Sequence, residues 1–199
     1  MATTNVDDEW DASTEGYKVG EKKTIDEYKK LDAEDESLAR WKQSLGIGAG
    51  TSIGERDDER TVVILELSLL VAGRPDVVIN FERPGSLKQL QGHRFIIKEG
   101  CTYRMKVKFR VQHEVISGLK YVQLVKRFNV RVDKSDEMMG SYPPNTKENP
   151  FYEKTFIEEE APKNVLLRGE YEATSRFVDD DKNVHLEFQW GFAIKNRWD

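Results

Sequence analysis

Tyr103-Arg104-Met105-Lys106-Val107-Lys108-Phe109-Arg110-Val111 decides the fold. Apolar and basic residues alternate along it, so an extended chain would bury one face and show its cations on the other. Wound as a helix, the same residues would scatter charge around every side. The pattern therefore predicts a half-buried strand with a basic outer face. The same period recurs on either side. Val62-Val-Ile-Leu-Glu-Leu-Ser-Leu-Leu-Val71 starts as a continuous apolar run and then alternates, and Val77-Val-Ile-Asn-Phe81 follows a Gly73-Arg-Pro75 turn. Residues 121–130, 171–178 and 185–194 continue the series. In the last of these, Leu186, Phe188, Trp190, Phe192 and Ile194 set large apolar groups on one face. Short strands, turns rich in Gly, Pro and Asp, and almost no helical period after residue 61 predict an all-β antiparallel β-sandwich over 61–199.

The first 60 residues differ in kind. They hold 16 Asp/Glu against 9 Lys/Arg, a net charge of -7, whereas the whole chain of 199 residues carries only -5. Their apolar residues are few and scattered, too sparse to offset the entropy of ordering the segment. The expectation is a flexible acidic arm over 1–60. Two short helices are legible within it. Thr24-Ile-Asp-Glu27 fits a capping box ahead of Ile25, Tyr28 and Leu31, which predicts a helix over about 24–31. Asp32 or Asp35 can cap a second, over about 35–45, carrying Leu38, Trp41 and Leu45 and ended by Gly46. Each is too short to be stable without a surface to lie on. They serve either as a partner-binding device or as helices packed permanently on the parent domain. The Gly-rich stretch 46–54 is a linker: no strand precedes it and no Lys-Ser/Thr closes it, so it is no phosphate loop.

Composition narrows the function. Net acidity argues against nucleic acid as the main partner, because phosphate contacts need clustered Lys/Arg. No apolar run reaches the ~18 residues of a spanning helix, and residues 1–11 lack a basic-then-apolar export pattern. The chain has one cysteine, Cys101, and no Asn-x-Ser/Thr sequon, which fits a reducing compartment, most simply the cytosol. No catalytic constellation is present: His93, His113 and His185 are far apart and lack metal-ligand spacing. No cofactor is implied, and the chain is not expected to be an enzyme. Asp179-Asp-Asp-Lys182 has hairpin character between the last two strands, either a solvated turn or an acidic loop for a basic partner. The row Phe188, Trp190, Phe192 with Phe95, Tyr103 and Phe109 is either a solid core or the lining of a cavity.

Several motifs in order resemble one family. They are Leu31-Asp-Ala-Glu-Asp-Glu-Ser-Leu38, Lys98-Glu-Gly100 leading into Tyr103-Arg104, Phe109-Arg-Val111, Ser117-Gly-Leu-Lys-Tyr121 and Met139-Gly-Ser-Tyr-Pro143. Glu160-Ala-Pro-Lys163, Arg168-Gly169, Ser175-Arg-Phe177 and Asp179-Asp-Asp-Lys182 complete the set. Together they resemble the Rho GDP-dissociation inhibitors from about Tyr17 to Trp198. The resemblance implies an immunoglobulin-like sandwich behind a flexible arm. It implies binding of GDP-bound, geranylgeranylated Rho-family GTPases, their extraction from membranes and their retention in the cytoplasm, with no stable membrane insertion by the inhibitor itself. It assigns GTPase contacts to Tyr17, Asp35 and Ser37 of the arm and to Asp180 and Asp181 of the turn. It assigns the prenyl pocket to Leu69, Phe95, Tyr103, Val115, Ala173, Phe188, Trp190 and Phe192. Ala173 stands where a larger aliphatic residue is common. A general prenyl-binding chaperone of related fold is the second reading; such proteins lack the helical arm, so the 31–38 segment favours the inhibitor family.

Overall fold

The computed structural model describes residues 58–83 and 85–198, together with Trp10 and Ser37. The expected helices over 24–31 and 35–45 and the linker over 46–54 therefore lie outside the described residues, apart from Ser37, whose backbone is helical.

Nine strands follow in chain order: β1 (Val62–Val71), β2 (Val77–Asn80), β3 (Arg94–Lys98), β4 (Thr102–Val111), β5 (Ile116–Arg127), β6 (Val130–Tyr142), β7 (Tyr152–Glu160), β8 (Gly169–Val178) and β9 (Val184–Lys195). A seven-residue helix α1 (Ser86–Gly92) precedes β3, and a 3₁₀ turn (Val165–Leu167) precedes β8. The strands form two sheets, in the orders β2-β1-β4-β7 and β3-β9-β8-β5-β6. All pairs are antiparallel except β3 with β9, which run parallel. An early strand laid parallel to the last one, with β1, β4 and β7 on one sheet and β5, β8 and β9 on the other, is the immunoglobulin-like arrangement.

Alternation puts the core where the sequence places it. Leu67, Val107, Phe109, Leu119 and Phe177 are buried completely or nearly so, and they face one another across the sheets. Phe109 meets Tyr142 edge-on with ring centroids 4.9 Å apart, and Tyr152 at 5.7 Å. Tyr121 on one sheet stacks on Phe156 of the other at 5.1 Å. The Phe109–Tyr142 and Tyr121–Phe156 pairs bridge the sandwich and fix the spacing of its layers.

Two elements escape the alternation rule. α1 has no side-chain cap and buries only Leu90 among its described side chains, so it carries no helical stripe. β7 is an edge strand in which only Phe156 is fully buried, so charge on both faces hides its period.

Phe109→Ala should cost about 3–5 kcal/mol in a urea unfolding experiment, the usual cost of removing a buried aromatic. Val78→Ala, at an exposed position of β2, should stay within about 0.5 kcal/mol of the unmodified protein.

Candidate functional site

Five of the eight pocket residues inferred by resemblance lie on the five-stranded sheet. Phe95 is on β3, Ala173 on β8, and Phe188, Trp190 and Phe192 on β9. Parallel register sets Phe95 beside Phe192, and antiparallel register sets Ala173 opposite Trp190. The rings form a continuous row: Phe95 to Trp190 at 5.9 Å, Trp190 to Phe192 at 5.4 Å, and Phe192 stacked on Tyr171 at 5.1 Å. Leu69 on β1 belongs to the same core cluster as the row, and Tyr103 on β4 packs against that cluster from the other sheet. Val115 does not join them. It is half-buried in the β4–β5 connection, at the end of the sandwich where Ser117 meets the acidic turn.

The row has one polar fixture. Ser175, wholly buried, accepts a hydrogen bond from the Trp190 indole Nε1 at 3.0 Å and shares another with the Tyr121 hydroxyl at 2.9 Å. An unpartnered indole N–H would be costly in this apolar space, so the serine sets the orientation of Trp190. At the far end of the row the Tyr103 hydroxyl donates to Glu159 Oε2 at 2.6 Å. Burial and the adjacent carboxylate both push the Tyr103 phenol well above its ordinary range.

A cleft of about 430 Å³ opens beside the row, between the starts of β1, α1 and β9. Val62, Ile64, Phe81, Leu87 and Leu186 give it apolar walls, and Arg60, Arg83, Lys88 and His185 are also among its lining residues. Its volume falls within the ~300–1,000 Å³ typical of small-molecule sites. Phe81 connects it to the row through an edge-on contact with Phe188 at 5.0 Å. Sequence reasoning missed Phe81 and Leu186 as lining residues. Both belong to strands read from alternation, but nothing in their spacing shows that the sandwich edge is open there.

The acidic turn divides into three roles. Asp179 is buried and accepts from Asn183 N at 2.9 Å, from Asn183 Nδ2 at 3.1 Å and from His185 Nε2 at 3.0 Å. Burial opposes its ionisation, yet the bonds from His185 and Asn183 outweigh burial and hold its pKa below the ordinary aspartate value. Asp180 is half-buried, with Ser117 Oγ donating to its Oδ2 at 3.2 Å and its amide donating to Ser117 O at 3.1 Å. Asp181 is exposed at the tip. The run is thus one structural carboxylate followed by two turned outward or toward β5, not a uniformly solvated loop.

Gly118 makes room for this arrangement. Its φ is +59°, and a Cβ there would overlap the Asp180 carboxyl group. Only glycine satisfies both demands.

The histidines have structural partners. His113 Nε2 lies 2.6 Å from Asp58 O, His93 packs edge-on against Phe95 at 4.9 Å, and His185 serves Asp179. Cys101 is half-buried, and burial raises its thiol pKa. No helix among the described residues is long and apolar enough to cross a membrane. Tyr17 and Asp35 lie outside the described residues. Ser37 is exposed. Trp10, a residue that sequence reasoning left without a role, lies against the sandwich: the Arg176 guanidinium sits 3.9 Å from its ring centroid.

A two-sheet sandwich with an aromatic row between its layers and an acidic turn at one end defines a binding domain. Comparison with known proteins gives that domain a family. Residues 2–197 match the model of the family described as RHO protein GDP dissociation inhibitor. A Rho GDP-dissociation inhibitor of Schizosaccharomyces pombe is 54% identical over 180 residues, spanning 90% of this chain and 86% of its own. Its counterpart in Saccharomyces cerevisiae is 47% identical, spanning 94% of this chain and 93% of its own. Rho GDP-dissociation inhibitor 1 of Homo sapiens is 38% identical, spanning 100% of this chain and 94% of its own. The chain belongs to the Rho GDP-dissociation inhibitor family, whose members are regulatory inhibitors and not enzymes.

Two outcomes follow for the turn. Gly118→Ala should displace Asp180 and destabilise the protein by more than about 1 kcal/mol, measured by thermal unfolding. Asp179 has a depressed pKa, so its contribution is complete above the unfolded aspartate value of about 3.9 and is lost as pH falls through its lower folded value. Asp179→Asn should therefore lower stability at neutral pH and flatten the stability–pH profile below about pH 4.

Proposed function

We propose that this protein inhibits GDP dissociation from Rho-family GTPases by a two-part grip. The arm covers the switch regions of the GDP-bound partner through Tyr17, Asp35 and Ser37. The sandwich takes the partner's geranylgeranyl group between its sheets and meets basic side chains of the partner with Asp180 and Asp181. The observation that carries this reading is the aromatic row Phe95–Trp190–Phe192, with Phe188 two residues from Trp190 on the same strand and edge-on to Phe81 at an open cleft, in a chain of this family.

The energetics support a division of labour. Burying ~20 prenyl carbons at ~0.8 kcal/mol each has a gross transfer term on the order of 15 kcal/mol. A bilayer offers the same term, so the pocket need only match the membrane. The contacts of the arm and of the acidic turn then tip the balance and confer specificity. Linkage of the two sites in one chain raises the effective concentration of each for the other. An arm that orders on binding gives up part of its gross interaction energy but can wrap an irregular surface. The complex is soluble and cytosolic in this reading, because the lipid no longer faces water or bilayer.

The two sites should come apart by mutation. Asp35→Ala removes a charge-assisted hydrogen bond worth ~1.5–3 kcal/mol, so the block on nucleotide release should weaken about tenfold or more. Binding of a geranylgeranylated peptide should be unchanged by the same substitution. A parallel fall in both would show that Asp35 acts through the fold. Ala173→Trp should act in the opposite direction: it adds volume opposite Trp190 where the lipid is placed. Sedimentation of geranylgeranylated GTPase with vesicles should show loss of extraction, while weak binding to unprenylated GTPase persists. A variant that melts early yet still extracts would move the lipid from the row to the cleft lined by Phe81 and Leu186.

A further inference from the structure

The outer face of the five-stranded sheet is more covered than an outer face should be. On β5, Leu119, Tyr121 and Val125 face the core, so Val122 and Leu124 point away from it. Neither joins the core cluster, yet they are only 6% and 2% exposed. Arg176 of β8 is the register partner of Val122, and it too faces outward, between the inward-facing Ser175 and Phe177. Arg176 Nε donates to Glu187 Oε2 of β9 at 2.6 Å, which holds the guanidinium flat against the sheet. Its other partner is Trp10, whose ring centroid lies 3.9 Å from Arg176 Cζ.

We propose that the face of β5 and β8 around Arg176 is a docking surface for the chain's own N-terminal segment, seated through Trp10. A guanidinium held by a carboxylate is a pre-organised platform for an indole, since its orientation costs little more entropy once Glu187 has fixed it. The segment suits the face electrostatically. Asp7, Asp8, Glu9 and Asp11 flank Trp10, and the face carries Lys120, Lys126, Lys134 and Arg176 against Asp136, Glu172 and Glu187.

The consequence is a tether with both ends fixed. The far end of the arm is pinned separately: Gln112 Nε2 donates to Arg60 O at 2.8 Å, and His113 Nε2 lies 2.6 Å from Asp58 O. Trp10 and Asp58 are then two fixed points of one chain, 48 residues apart in sequence. Closing a chain at both ends narrows the volume it searches. Asp35 and Ser37 are thereby kept at higher effective concentration near the acidic turn, which begins three residues after Arg176. The effect on a partner rests on the function proposed above; the docking of Trp10 does not, and it is tested on the free chain.

The experiment is NMR on the full-length protein, with the Trp10 indole assigned from a Trp10→Phe spectrum. Docked Trp10 shows cross-relaxation to the Arg176 and Val122 side chains, and an indole order parameter near the ~0.85 of rigid structure and not below ~0.6. Arg176→Ala moves the Trp10 signals to their free-chain positions, while the Trp190 indole, bonded to Ser175, confirms the fold. Arg104→Ala, on the other sheet, leaves Trp10 unchanged. A Trp10 indole that is free in the unmodified protein, or indifferent to Arg176→Ala, overturns the assignment. So does isotope-filtered cross-relaxation between chains, which would make the occupant a second copy. In a nucleotide-release assay Trp10→Ala should weaken inhibition several-fold. Docking with unaltered inhibition would remove the tether's role.

Discussion

A buried serine hydroxyl organises the interior on which the site depends. Ser175 Oγ meets both the Trp190 indole and the Tyr121 phenol, and Tyr121 in turn stacks on Phe156 of the opposite sheet. One small polar atom therefore couples the aromatic row to the contact that spaces the two layers. The network is satisfied on every side, which is the condition for a polar group to specify a structure without weakening it. Burial raises the Tyr121 phenol's pKa, so it remains a neutral hydroxyl. With Trp190 held in one orientation, Phe95 and Phe192 have a fixed partner.

The same economy governs the ends of the sandwich. At one end Asp179 serves structure, bonded to Asn183 and His185, while Asp180 is held by Ser117. Gly118 and Ser117 on β5 then decide where Asp180 lies. At the other end Arg127 donates to the carbonyls of Leu166 and Arg168 at 2.8 and 2.7 Å, tying the β5–β6 hairpin to the connection before β8. Gly169, at φ +136°, admits this guanidinium, since a Cβ there would stand 2.9 Å from Arg127 Nη2. In both places a glycine with positive φ lets a charged side chain, from the acidic turn in one case and from β5 in the other, approach the backbone.

Much of this was legible in the sequence, and the reasons differ from element to element. Strands buried on one face announce themselves: the alternation from Tyr103 to Val111 and from Leu186 to Ile194 is the pleat itself. Two of the edge strands do not. β6 and β7 expose both faces over much of their length, so Val130, Val132 and Ile157 carry no inward signal. α1 is one turn and a half with a single buried leucine, too little for a helical period. Within the site, the residues of the row were recoverable because strand period and family resemblance agree on them. Ser175 was not, since a serine at an inward position looks like a weak point until its two partners are seen. The split of Asp179 from Asp180 depends on Asn183 and His185 folding back across the turn, a tertiary fact invisible in a run of like charges. Phe81 and Leu186 were read as strand residues; that a cleft opens between them follows from how the sheets meet, and no local pattern encodes it.

The central claim of the proposed function is that the partner's lipid enters beside Trp190 while the polar contacts lie elsewhere. The most direct measurement is an NMR titration of the full chain with a geranylgeranylated cysteine peptide, following the tryptophan indoles. Trp190, bonded to Ser175 and packed on Phe95 and Phe192, should move and saturate. Trp198, under the Arg74 guanidinium at 3.9 Å, should stay in place. A saturating titration that leaves Trp190 and its neighbours unshifted would contradict the account, because the lipid would then be bound somewhere other than between the sheets.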